Sequence, residues 1–211
     1  MRETQFQFIL SLTNINMTEV SLEILIKAAK AGKLISFPTD TVPALATIPQ
    51  QAELIYTAKK RSLDKPLILM AAIAEDLWDY VQGSQIEYQI WQKVVNKYWP
   101  GALTLVLPAS DKIPQVMNTA DLTTIGIRVP NNQVAQTILA QTGPMATTSA
   151  NLSGQPALEK KAEIESQFPE VLTLESVSYQ GLGIPSTVAK WTGKDWQILR
   201  QGSIKLDNDE F

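Results

Sequence analysis

The seven residues 66–72, Pro-Leu-Ile-Leu-Met-Ala-Ala, form an unbroken apolar run, and this run narrows the choice of fold most sharply. It is too short for a core helix and has no polar face, so it reads as a strand buried inside a sheet. Helix-like and strand-like stretches alternate on both sides of it. Leu22, Leu25, Ile26 and Ala29 share one helical face, with Thr18 as the expected cap, Glu19 in the first turn and Gly32 at the end. Residues 34–37 read as a short buried strand stopped by Pro38, and residues 50–60 as a helix through Ala52, Ile55, Tyr56 and Lys59.

Further along, helices are predicted over 74–80 and 86–99, the second closed by Pro100-Gly101. Strands follow over 102–107 and 124–129, then a helix over 131–142 with Asn131 as a cap. A helix over 159–167 and strands over 171–174, 187–191 and 196–199 complete the pattern, and alternation at Phe6, Phe8 and Leu10 predicts an N-terminal strand. Such intermixing predicts an α/β sheet layered with helices. With 211 residues and no visible linker, one domain is expected.

The chain contains no Cys and no His. That excludes thiolate and imidazole nucleophiles, imidazole bases, disulfides and every metal site built on those ligands. Catalysis must then rest on Lys, Arg, carboxylates, hydroxyls, backbone amides or a hard cation held mainly by substrate. The formal net charge of −3 gives no global pull toward nucleic acid or membrane, so any anion site must be local. No apolar run approaches the ~20 residues of a membrane helix, and the N-terminus lacks a charged segment leading into a long apolar one. A soluble, cytoplasmic protein is expected.

Local candidates fall at the ends of elements. After Pro144-Met145-Ala146, residues 147–154 read Thr-Thr-Ser-Ala-Asn-Leu-Ser-Gly, as where a strand opens into a polar site. The same residue types also make ordinary turns and caps. Phe37-Pro38-Thr39-Asp40-Thr41-Val42 places two hydroxyls and a carboxylate after a buried strand, which fits a ligand loop or a plain turn. Three of the four arginines, Arg61, Arg128 and Arg200, stand at element ends. Their planar forks suit carboxylate or phosphate, although each alone fits a surface ion pair equally well. Lys59, Lys60, Arg61 and Lys65 fit a solvated helix end. Neither common glycine-rich nucleotide motif is present.

Taken together and in order, these pieces resemble the Sua5/YciO/YrdC family. They are Phe37-Pro38-Thr39-Asp40-Thr41-Val42, Lys59-Lys60-Arg61 with Lys65-Pro66-Leu67, Pro100-Gly101-Ala102-Leu103-Thr104, Ile127-Arg128-Val129-Pro130 with Ser149-Ala150-Asn151-Leu152-Ser153-Gly154, and Pro185-Ser186-Thr187-Val188 with Leu199-Arg200-Gln201-Gly202. The resemblance spans about residues 18–204, leaving 1–17 as an N-terminal strand or arm and 205–211 as a tail. It implies a single α/β domain with a twisted mixed sheet, helices packed on it and a concave, positively lined cavity. The chain lacks the large C-terminal extension of the Sua5 branch, so the short form is expected.

The activity implied is that of an L-threonylcarbamoyladenylate synthase, a nucleotidyltransferase joining L-threonine, bicarbonate and ATP, with Mg²⁺ held by phosphate oxygens and pyrophosphate released. Its product serves threonylcarbamoyladenosine modification of tRNA through downstream tRNA-modification proteins. By the same resemblance, Lys59, Arg61, Ser149 and Asn151 are the catalytic set. Thr39, Arg128, Ser149 and Ser186 take threonine, and Lys59, Arg61, Thr124, Asn151 and Arg200 take ATP. Pro43-Ala44 departs from the family's usual aromatic residue and Gly at this point, removing a backbone donor and a glycine. The alternative is a diverged paralogue that binds nucleotide, tRNA or double-stranded RNA without synthase activity.

Overall fold

The apolar run becomes an interior strand. A computed structural model describes residues 18–179 and 181–207. In chain order these form β1 (Glu19–Val20), α1 (Leu22–Lys30), β2 (Ile35–Phe37), β3 (Ala44–Thr47), α2 (Glu53–Lys59), β4 (Ile68–Met70), α3 (Gln85–Tyr98) and β5 (Leu103–Pro108). There follow β6 (Thr124–Arg128), α4 (Gln133–Thr142), β7 (Met145–Ser149), α5 (Lys161–Gln167), β8 (Thr173–Leu174), β9 (Thr187–Trp191) and β10 (Trp196–Arg200). Eight strands make one mixed sheet in the order β10-β9-β5-β6-β4-β7-β3-β2, and β1 pairs with β8 apart from it. The pairs β4 with β6 and β5 with β9 are parallel.

Alternation along the strands sets both faces. Leu67, Leu69, Leu105, Ile125 and Ile127 face a core shared with Ala52, Ile55 and Tyr56 around α2 and with Trp91, Val94 and Val95 of α3. On the other face, Phe37, Ala44, Met70 and Met145 pack under Leu25, Ile26 and Ala29 of α1 and Ala135, Ile138 and Leu139 of α4. Past those two helices, Thr104, Val106, Gly126 and Val188 line a cavity instead. One face of one sheet is therefore part core and part site.

Several expectations need correction. The cap of α1 is Ser21, whose hydroxyl accepts from Ile24 N at 3.4 Å, while Glu19–Val20 pairs with Thr173–Leu174 as a parallel strand. The cap of α4 is Asn132 rather than Asn131, its Oδ1 accepting from Ala135 N at 3.0 Å. The helix expected over 74–80 is of the 3₁₀ type, Glu75–Tyr80. The strand β3 has the unpromising sequence Ala-Leu-Ala-Thr and exists because both edges are paired, Ala46 lying opposite Ile35 of β2 and Thr147 of β7. The strand expected at Phe6, Phe8 and Leu10 lies outside the described residues. Within the tail, Leu206 packs on the core and Asp207 pairs with Lys97 at 2.5 Å.

Candidate functional site

The cavity, of about 530 Å³, opens on the sheet face beyond α1 and α4. Its lining includes Arg61, Lys65, Arg128, Lys190 and Arg200 against only two carboxylates, Asp64 and Asp121. Each arginine is fixed by the protein, which leaves its remaining edge preorganised for an anion. Arg128, at the end of β6, is 2% exposed. It donates through Nε to Gly101 O at 3.0 Å, through Nη1 to Thr41 Oγ1 at 2.9 Å and through Nη2 to Asp40 Oδ1 at 2.7 Å. Burial pushes its pKa down, Asp40 opposes that, and Arg200 adds to the lowering, so the two guanidinium groups feel one another across the site.

Arg200, at the end of β10, donates to Ser186 O at 3.0 Å and Ser186 Oγ at 3.2 Å. The Ser186 hydroxyl in turn shares a hydrogen bond of 2.8 Å with Thr104 Oγ1. Arg61 follows α2, where Lys60 adopts a left-handed φ of 48° and turns the chain out of the helix. Its guanidinium donates to Lys65 O at 3.3 Å and Pro66 O at 3.0 Å, and burial again lowers its pKa. Fixed cations of this kind offset repulsion between anionic ligands gathered in one site.

The Thr-Ser-Asn segment divides in two. Residues 147–149 belong to β7, which carries Thr147, Thr148 and Ser149 into the cavity wall. Asn151 turns away from it and is 8% exposed. Its Oδ1 accepts from Ser149 Oγ at 2.5 Å, while its Nδ2 donates to Leu152 O at 2.7 Å and Gln155 O at 2.8 Å. Lys59 is fully buried behind this turn. Its ammonium donates to Ser149 O and, at 3.3 Å, to Asn151 Oδ1, and its own carbonyl accepts from Ser153 N at 3.1 Å. Burial, helped by Arg61, lowers the Lys59 pKa to about 7.

Six expected site residues therefore line the cavity: Arg61, Thr124, Arg128, Ser149, Ser186 and Arg200. Three do not: Lys59, Asn151 and Thr39 are buried behind its wall, for a physical reason in each case. Lys59 and Asn151 are occupied with each other and with the turn. Thr39, 1% exposed, gives its hydroxyl to Val42 O at 2.7 Å and accepts from Thr41 N at 3.1 Å. Its neighbours Asp40 and Thr41 make the contacts to Arg128 instead.

Residues 181–183 pack over that loop. Leu182 N and Gly183 N donate to Asp40 O at 3.1 Å and Thr41 O at 3.0 Å. Any Cβ on Gly181 would lie 2.3 Å from Thr41 O, so only glycine permits this approach. Pro43-Ala44 is accommodated: the Pro43 carbonyl accepts from Ala150 N at 2.9 Å, and Ala44 starts β3 opposite Ser149. Thr104, Asp121 and Lys190 also line the cavity; Thr104 stands in one of the family motifs, but none of the three was expected as a site residue. The available signal was alternation, since Thr104 and Lys190 sit opposite in phase to Leu103, Leu105 and Ala189, which are buried.

The chain is similar to known proteins along most of its length. The family model Sua5_yciO_yrdC, described as telomere recombination, matches residues 27–202. A Vibrio campbellii protein named threonylcarbamoyl-AMP synthase is 33% identical over 187 residues, covering 86% of this chain and 99% of the relative. A Pyrococcus abyssi protein of the same name is 32% identical over 186 residues, of which this chain spans only 54%. Among solved structures, P. abyssi Sua5 complexed with L-threonine superposes with a TM-score of 0.79 at 30% identity, covering 86% of this chain and 54% of that one. Escherichia coli YciO shares the fold, with a TM-score of 0.74 at 24% identity over 86% of this chain and 89% of that one. From the family match over most of its length, the chain belongs to the Sua5/YciO/YrdC family.

Proposed function

We propose that this protein is an L-threonylcarbamoyladenylate synthase. The observation that carries the reading is the cavity's excess of fixed cations, Arg61, Arg128 and Arg200 each anchored by protein acceptors, beside the hydroxyls of Ser149 and Ser186. Relatives named threonylcarbamoyl-AMP synthase and the threonine complex of P. abyssi Sua5 support the choice of substrate. L-Threonine would lie toward Arg128, Ser149 and Ser186. ATP would lie toward Arg61, Thr124 and Arg200.

In this reading the threonine amine attacks bicarbonate, water departs, and a carbamate forms. A carbamate oxygen then attacks the α-phosphorus of ATP and the bond to pyrophosphate breaks, giving the mixed anhydride. No protein nucleophile takes part. The chain's own work is to hold carboxylate, carbamate and triphosphate together against their repulsion and to orient them. Among the described residues no group of three or more acidic or other ligating side chains could hold a metal ion. Mg²⁺ would accompany the nucleotide, where it would neutralise phosphate charge.

The adenylate would be consumed by enzymes that modify the adenosine beside the tRNA anticodon. Direct RNA binding is the weaker reading, because the cations converge inside a cavity of about 530 Å³ rather than along an open face. Among the described residues no helix is long and apolar enough to cross a membrane. The reading is tested by incubating purified protein with Mg-ATP and bicarbonate, with and without L-threonine, and measuring pyrophosphate. Release is expected only with threonine. Threonine-independent or absent release from folded protein would count against it.

A further inference from the structure

Among the described residues, Lys190 is the one cavity cation whose ammonium has no protein acceptor within hydrogen-bonding distance. Sheet register places it: one row across the cavity face holds Thr104, Val188 and Arg200, and the next holds Ile68, Gly126, Val106 and Lys190. Two residues along β9 separate the rows, about 7 Å at the usual strand rise. Lys190 thus stands on the same floor as Arg200, toward the end marked by Thr124.

Its nearest charged partner is Asp121, whose Oδ2 lies 3.7 Å from the ammonium, beyond hydrogen-bonding distance. That carboxylate is already served by its own turn. Oδ1 accepts from Thr123 N at 3.0 Å and Thr123 Oγ1 at 2.5 Å, and Oδ2 accepts from Thr124 Oγ1 at 2.9 Å. Asp121 does not need Lys190, and Lys190 gains only a loose, solvent-screened attraction in return. By contrast, Lys65 donates to Ser153 Oγ at 3.2 Å, and the three arginines are anchored as described. An ammonium with three donors, aimed into a ligand cavity and without an acceptor among the described residues, is suited to a ligand oxygen.

We propose that Lys190 is a nucleotide-contacting residue, its ammonium leaving Asp121 to donate to a phosphate or ribose oxygen of ATP lying on the cavity floor between Arg200 and Thr124. This rests on the reading of the cavity as a nucleotide site. In the ligand-free protein Asp121 parks the charge, and on binding the exchange supplies a charge-assisted bond that a neutral side chain cannot match. Lysine reaches such an oxygen as a point charge on a flexible stem, so arginine at this position should serve in part.

The test is calorimetric titration of the parent, Lys190→Gln and Lys190→Arg with ATP, adenosine and L-threonine, at low and high salt. Lys190→Gln is expected to weaken ATP on the order of tenfold and to flatten its salt dependence, with L-threonine affinity and melting temperature unchanged. Lys190→Arg should recover part of the loss. A loss with ATP but not adenosine supports a phosphate contact, and a loss with both supports a ribose contact. Parent-like ATP affinity in Lys190→Gln would overturn the assignment of Lys190 while leaving the synthase reading intact. A parent protein that binds no ATP would overturn both.

Discussion

Lys59 carries the sharpest consequence at the scale of single residues. A fully buried ammonium with a pKa lowered from 10.5 to about 7 is more easily protonated in the unfolded chain than in the folded one. Between those values the unfolded state binds more protons, so stability rises with pH. That relative stability is complete above 10.5 and lost as pH falls to about 7. Lys59→Met removes the effect. Urea denaturation of both proteins at pH 7 and pH 10 should show the parent gaining as much as about 4 kcal/mol more than the variant over this interval. Equal pH slopes would mean that Lys59 is not buried as a titrating group.

The Asp40–Arg128 pair makes a second prediction at this scale. Their side chains are 14% and 3% exposed, so removing the carboxylate strands a buried guanidinium. Asp40→Ala should lose about 3–5 kcal/mol of stability, read from the denaturant midpoint, whereas Asp40→Asn keeps an acceptor and should lose less. A change within error in Asp40→Ala would contradict the buried pairing. The residue types of the Lys59 and Asn151 motifs were legible in the sequence, but their direction was not. Which of two neighbours faces a cavity depends on the turn after β7, and that turn is fixed by long-range partners such as Pro43 O and the Lys59 ammonium.

Elements show the same division between local and distant causes. Helices α3 and α4 and strands β5, β6 and β9 follow from periodicity and from Pro or Gly at their ends, and they appear where the sequence places them to within a residue or two. The strand β3 could not be read that way, because Ala-Leu-Ala-Thr has little strand preference of its own and relies on β2 and β7 for pairing. Caps were ambiguous wherever two suitable residues stand side by side. Asn132, whose side chain accepts from Ala135 N, is the test: Asn132→Ala should cost about 1 kcal/mol in thermal or chemical denaturation, and Asn131→Ala a few tenths. Equal losses would put the cap elsewhere.

For the whole molecule, the decisive property is that one sheet face changes role along its width. Under α1 and α4 it is apolar core, and under β5, β6 and β9 it is the floor of a cavity edged by Arg61, Arg128 and Arg200. A chain of net charge −3 thereby concentrates positive charge in one cavity, which neither its composition nor any single motif discloses. We infer that an amino acid, a one-carbon unit and a nucleotide are joined in this place. The most direct measurement is transfer of label from ¹⁴C-bicarbonate into an adenylate, with each co-substrate omitted in turn. Label should enter an AMP-linked product only when L-threonine and ATP are both present, in one-to-one ratio with pyrophosphate. Pyrophosphate without carbon incorporation, or incorporation without threonine, would contradict the account.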